Sequence, residues 1–257
     1  MNLLLVNADD FGLHASVNSA IADCVDFGSV NSVSVIANGA APNFELLHKF
    51  VQNGIFVGIH ITWIEEPWLT NSMFISSWKV LFKKMILGGK EFQLKMQQEA
   101  EAQMARFLEA GIYPDHIDSH QHVHHFASAW NIVSDLKKKY AVKRIRVAHV
   151  KSPLLLRKNI SGFTLNGLAG LKQQQNNSFY CAGIKYSGNY NTLLFERELH
   201  NASGSDTELI VHPGKSNVEL NKIYPNWNYH WEEEFTALMK DSFIRSIGEN
   251  NFGLLKK

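Results

Sequence analysis

The stretch LLLVNADDFGLHASVNSAIADCVDFG, residues 3–28, decides how the chain folds. Its first part, Leu3–Ala8, is a short and nearly continuous apolar run that reads as a buried strand. Its second part, from His14 onward, reads as a helix that Gly28 stops. Between them stand two adjacent carboxylates, Asp9 and Asp10. Like charges this close repel, and neither acid leaves water without compensation. The pair needs a counter-charge, and the rest of the sequence suggests a bound metal ion.

The strand-then-helix order recurs along the chain. Strands are expected at 31–39, 55–63, 115–120, 143–150 and 208–214, with a further candidate in FYCAGI. Helices are expected at APNFELLHKFVQNG, EFQLKMQQEAEAQMARFLEAG, FASAWNIVSDLKKKY, GLAGLKQQQNN, NTLLFEREL and YHWEEEFTALMKDSF. Such alternation argues for a parallel sheet. About seven units suit an α/β fold of the (β/α) barrel, TIM-like type, distorted or seven-stranded. An open doubly wound sheet is the alternative, weakened by the lack of GxGxxG or Walker A motifs. The whole chain, 1–257, reads as one domain, with a lid-like insertion at about 64–90.

The chain's 257 residues, 45% hydrophobic and 19% charged, can bury a real core. A net charge of +1 gives no electrostatic case for a nucleic-acid partner. Cys24 and Cys181 stand far apart and indicate neither a disulfide framework nor a zinc knuckle. The apolar N-terminal run is too short for a signal peptide, and no stretch approaches a membrane span. These features lead us to expect a cytoplasmic protein.

The ionisable residues fall at one end of the expected strands. Asp9 and Asp10 end the first, His60 lies near the end of the third, Asp118 and His120 end the fourth, Arg146 and His149 the fifth, and His212 the late one. Parallel α/β folds build their active sites there. In DHIDSHQHVHHF the positions His116, Asp118, His120, His122 and His124 are all even, so an extended chain puts them on one face. Imidazoles and a carboxylate on one face suggest metal chemistry. Taken singly, each feature has a plainer reading. The paired acids could cap a helix, His60 could be a core or surface histidine, the histidine run a solvated loop, and HPG a turn.

NADDFG (7–12), GIHIT (58–62), HIDSHQHVH (116–124) and VHPG (211–214) together resemble the YdjC-like family of carbohydrate deacetylases, over roughly residues 1–240. That family includes chitooligosaccharide deacetylase and the hopanoid-biosynthesis-associated deacetylases. The resemblance implies a barrel related to the polysaccharide deacetylases and removal of acetyl from an N-acetylated amino sugar, either a chitooligosaccharide or lipid-linked N-acetylglucosamine. It implies one divalent metal ion, Mg2+ or Zn2+, on Asp10, His60 and His120, with Asp9 as catalytic base and His212 as catalytic acid. Asp118, His122, His124, Arg146 and Trp63 are then expected to contact substrate or support the ligands. Three positions depart from the family pattern: His14, Ala127 and Trp231. None is a proposed ligand, and they bear on substrate detail.

Segment 64–90 and its flank carry Trp63, Trp68 and Trp78, rings that could stack on a sugar or pack in a core. Residues 78–87 form a basic amphipathic pattern that could touch a membrane surface, and the resemblance leaves room for a homodimer. Two other readings stand beside the deacetylase. One is a metal-dependent phosphoesterase or amidohydrolase on a similar barrel, and the other a non-catalytic carbohydrate-binding protein.

Overall fold

The computed structural model describes residues 1–149 and 179–257. Strand β1 (Asn2–Phe11) is buried from Leu4 onward, as expected of a parallel strand covered on both faces. Helix α1 (Ala15–Phe27) buries Val17, Ala20, Ile21, Cys24 and Val25, a stripe at helical spacing. Gly28 stops it in the left-handed region, φ +84, and donates its N–H to the carbonyls of Cys24 and Val25.

Next come β2 (Ser32–Val35), α2 (Phe44–Gln52), β3 (Phe56–Ile61), α3 (Trp78–Leu87), α4 (Gly89–Glu109) and β4 (His116–Ser119). A 3-10 helix (His120–His125), α5 (Ala127–Lys139), β5 (Arg144–Ile145) and β6 (Tyr180–Ala182) follow. The chain continues with α6 (Thr192–Ala202), β7 (Thr207–Val211), α7 (Asn217–Ile223), α8 (Trp231–Leu238), α9 (Asp241–Glu249) and β8 (Phe252–Leu254).

Seven strands pair in the order β5-β4-β3-β2-β1-β7-β6, and β8 adds to the start of β1. Every pairing is parallel. The sheet curls into a half-barrel, so the expected distorted, seven-stranded α/β barrel is the fold found. The chain after β5 continues along β4, where Arg146 N–H bonds Ile117 C=O at 2.9 Å, and then meets the opposite edge, where Cys181 N–H of β6 bonds His149 C=O at 2.8 Å.

Two expected elements differ. The fifth strand shrinks from 143–150 to two residues, because His149 N–H folds back onto Val147 C=O at 2.7 Å and breaks the extended chain. The last helix divides in two, since Lys240 is extended (φ −97, ψ 138) and lets Phe243 and Ile247 turn into the core. Helix α7 and strand β8 were not expected at all. The helix expected in GLAGLKQQQNN lies outside the described residues.

Trp63 and Trp68 are core residues, with Trp63 Nε1–H donated to Met96 C=O and Trp68 Nε1–H to Trp63 C=O. Helix α3 turns Leu81 and Met85 inward and leaves Phe82, Ile86 and Leu87 exposed. Cys24 and Cys181 are both free and buried. Among the described residues no helix is long and apolar enough to cross a membrane.

Candidate active site

The two adjacent acids reach the barrel interior by way of a β-bulge. From Ala8 to Phe11 the first strand takes three steps while its partner takes two, Val33 to Val35. Asp10 absorbs the extra residue with φ +67. Simple alternation would send neighbouring side chains to opposite faces; the bulge re-aims one of them. Asp9 points at Arg146 and Asp10 at two histidines.

Asp10 Oδ1 lies 3.1 Å from His120 Nδ1 and 3.5 Å from His60 Nε2. The ligand atoms of Asp10, His60 and His120 all lie within 4.8 Å of one another, and all three residues are buried. Burial alone would raise the Asp10 pKa, but His120, His60 and His212 outweigh it and hold the carboxyl well below the usual range. Burial opposes a charge on His120, yet Asp10 and Glu65 push its pKa up to about 10. The neighbouring carboxylates favour the protonated forms of His60 and His120. A divalent cation would replace those protons, and one carboxylate with two imidazoles is a donor set that suits one.

His60 is oriented from behind. Its Nδ1 meets Asp118 Oδ1 at 2.7 Å, which leaves Nε2 facing Asp10. Asp118 also accepts from Ser34 Oγ at 2.7 Å and forms an ion pair with Arg146 Nη1 at 2.8 Å.

Arg146 is wholly buried and holds three carboxylates from three strands. It grips Asp9 through two bonds of 2.7 Å, Asp118 through Nη1, and Glu208 through Nε at 2.7 Å. Asn7 Nδ2 gives Asp9 a further bond, 2.7 Å. The counter-charge of Asp9 is therefore a guanidinium, which corrects the expectation that a metal ion compensates both acids. Asp9, His60 and Asp118 form a second close set of potential ligands. The guanidinium already occupies both of its carboxylates, so the Asp10 set is the better cation site.

His212 follows β7. Its backbone N–H donates to Glu234 Oε1 at 2.5 Å, its Nδ1 is buried with no hydrogen-bond partner, and its ring meets the edge of Tyr229. Burial lowers its pKa, against the pull of Asp10 and Asp9. Glu234 is wholly buried, and its pKa rises to about 8 for that reason.

The even-numbered histidine face does not survive beyond His120. Gln121 and His122 take positive φ, +49 and +54, and turn the strand into the 3-10 helix. His124 is used internally, with Nδ1 at 2.7 Å from Ser119 Oγ and Nε2 at 3.0 Å from the Arg146 carbonyl. His122 packs edge-on to His124 and His125. Trp63 offers no ring face to a ligand, since it is wholly buried.

Other residues at the site were not anticipated. Trp227 stacks on the His120 ring, centroids 5.0 Å apart, beside Tyr224 and Tyr229. Glu66 accepts from the Tyr224 hydroxyl at 3.1 Å, and burial pushes its carboxyl up to about 7. Glu65 accepts from His120 Nε2 at 3.0 Å. The cue was the aromatic run YPNWNYHW, 224–231, which lies far in sequence from the histidines it covers.

A carbohydrate deacetylase of Halalkalibacterium halodurans is 34% identical to this chain over 149 residues, 53% of this chain and 60% of its own length. A chitooligosaccharide deacetylase of Proteus mirabilis is 35% identical over 153 residues, 55% of this chain and 57% of its own length. The chain thus spans little more than half the length of the curated relatives it matches. Among solved structures, a protein of Enterococcus faecalis V583, named a candidate for cellobiose-phosphate cleavage, superposes with a TM-score of 0.75 at 20% identity, covering 100% of this chain and 98% of its own. A family 4 carbohydrate esterase of Streptomyces lividans gives 0.52 at 13% identity, covering 98% and 91%. Both likenesses speak to fold alone. The model of the YdjC-like protein family matches residues 3–249, nearly the full length, and the chain belongs to that family.

Proposed function

We propose that this chain is a metal-dependent deacetylase that removes acetyl from an N-acetylated amino sugar. The observation that carries the reading is the buried Asp10–His60–His120 set standing beside the Arg146-tethered Asp9. The names of the curated relatives support it. Asp10, His60 and His120 hold one divalent cation, Mg2+ or Zn2+. A cation held there supplies Lewis acidity toward water and toward the acyl oxygen.

Asp9 acts as base. It takes one proton from the attacking water while Arg146 holds it in aim. Oxygen bonds to the acyl carbon, the carbon–nitrogen bond breaks, and acetate departs. His212 delivers the proton that the leaving amine needs. Its burial lowers its affinity for that proton and makes its protonated form the stronger acid. The amine product is a free amino sugar, with a chitooligosaccharide or a lipid-linked N-acetylglucosamine as parent.

A phosphoesterase or amidohydrolase reading calls for more than one ion. The guanidinium on Asp9 and Asp118 argues against a second cation. The test is acetate release from a panel of N-acetylglucosamine compounds, including chitobiose and a lipid-linked form, with Zn2+ or Mg2+ and again with chelator. Chelator-sensitive acetate from one member, with one metal per chain, is the expected result. One tightly bound metal with no acetate from any member would move the assignment to another hydrolase class.

A further inference from the structure

Glu65 has no part in the roles above. It follows β3, at the start of the 64–90 segment, and its backbone is left-handed, φ +65. That conformation is strained for a residue with a side chain, and such strain persists only where neighbours impose it. One oxygen, Oε2, receives two donors: His120 Nε2 at 3.0 Å and Gln121 Nε2 at 2.8 Å. Gln121 is left-handed as well, φ +49. Two strained positions from distant parts of the chain converge on one carboxylate oxygen.

The two ring nitrogens of His120 point apart. Nδ1 faces Asp10 Oδ1 at 3.1 Å, and Nε2 faces Glu65. His60 shows the same division, with Nδ1 on Asp118 at 2.7 Å and Nε2 toward Asp10. Each imidazole thus has one nitrogen committed to a supporting carboxylate and one turned to the shared Asp10 oxygen. An imidazole that donates to a carboxylate is fixed in tautomer and orientation and is a stronger ligand through its other nitrogen.

We propose that Glu65 is the positioning residue for His120, as Asp118 is for His60, and that His120 offers Nδ1 rather than Nε2 to the cation. This rests on the metal-centre reading above. Glu65 lies beyond the far nitrogen of the ring, so it is not itself a ligand. Trp227 stacks on the same ring, so His120 is held at its edge by one segment and at its face by another. The segment after β3 thereby sets the strength of the metal site.

The test titrates Zn2+ alone into the full chain against a competing chelator, by calorimetry, for the unaltered protein, Glu65→Ala and Glu65→Gln. We expect zinc affinity to fall roughly 10- to 100-fold in the Ala variant. The Gln variant should recover most of it, because its amide oxygen accepts the same Nε2–H. Imidazole 15N shifts of the zinc-loaded protein should show His120 metallated at Nδ1 and protonated at Nε2. Unchanged affinity in Glu65→Ala, or zinc on Nε2, overturns the role. Failure of the unaltered chain to bind zinc overturns the metal centre and this role together. Zinc bound as expected with no acetate released leaves Glu65 in place and removes only the deacetylase reading.

Discussion

Replacing Asp9 by Asn keeps the shape of the side chain and the bond from Asn7 but removes the charge that Arg146 grips. Asp118 and Glu208 still neutralise the guanidinium. Asp9→Asn should therefore lower acetate release by about 10²- to 10⁴-fold while metal per chain stays at the unaltered value. His120→Ala removes one of the three donors and should bring metal content close to zero after dialysis. Retained stoichiometric metal in that variant would reassign the ligands. Asp10, His60, His120 and Asp118 were legible from sequence because each ends a strand whose pattern is plain, and parallel topology does the rest. His122 and His124 were misread because alternation holds only while the chain stays extended, and Gln121 is where it stops. Glu65 gave no local sign, and the aromatic run around Trp227 did not say what it covers, since what marks both is a contact with His120 from 55 and 107 residues away.

Among the strands, β3 shows how a small residue shapes the site. A Cβ on Gly58 would lie 2.2 Å from His116 Nε2, inside the imidazole. That ring is buried, bonds Ser34 Oγ at 3.0 Å, and stays neutral because burial lowers its pKa to about 4. Gly58→Ala should displace His116 and cost about 1–3 kcal/mol, measured by urea unfolding. It should also disturb Asp118, which shares Ser34 with His116. A melt equal to that of the unaltered protein would mean that the ring swings aside freely. The β-then-α rhythm of these elements was readable because capping residues and apolar stripes agree, as at Gly28. The break at Lys240 and the two-residue β5 were not, because each is decided by packing or a tight turn between distant segments.

Taken whole, the barrel encloses ions rather than only oil. Arg146 neutralises three buried carboxylates, and Arg146→Met would remove the cation they share at a cost of about 3–5 kcal/mol. Burial alone would raise the Glu208 pKa, but Arg144 and Arg146 overcome this and take it from 4.5 to about 2. A lowered carboxyl contributes stability above its ordinary value and loses it as pH falls from about 4.5 toward about 2. Glu234 does the reverse. Burial raises it from 4.5 to about 8, so its contribution is full below about 4.5 and is lost as pH climbs to about 8. Urea melts at pH 5 and pH 8 should show the unaltered protein losing stability across that interval, and Glu234→Gln losing less. An equal loss in both would mean that Glu234 is ionised in the folded state throughout.

Strand β1 meets β2 close by in sequence, yet two of its neighbours come from far along the chain. It pairs through Leu4–Ala8 with Thr207–Val211 and through Asn2–Leu4 with Phe252–Leu254. Contacts that span nearly the whole chain close large loops before they return any stabilisation. After β2 has paired with one side of β1, the other side therefore stays open until β7 has been synthesised. Pulse proteolysis of stalled intermediates should find chains ending before β7 cut readily and chains that include β7 and β8 resistant. Until β7 arrives, the open side of β1 is an apolar sheet edge, the kind of surface on which a second chain can add.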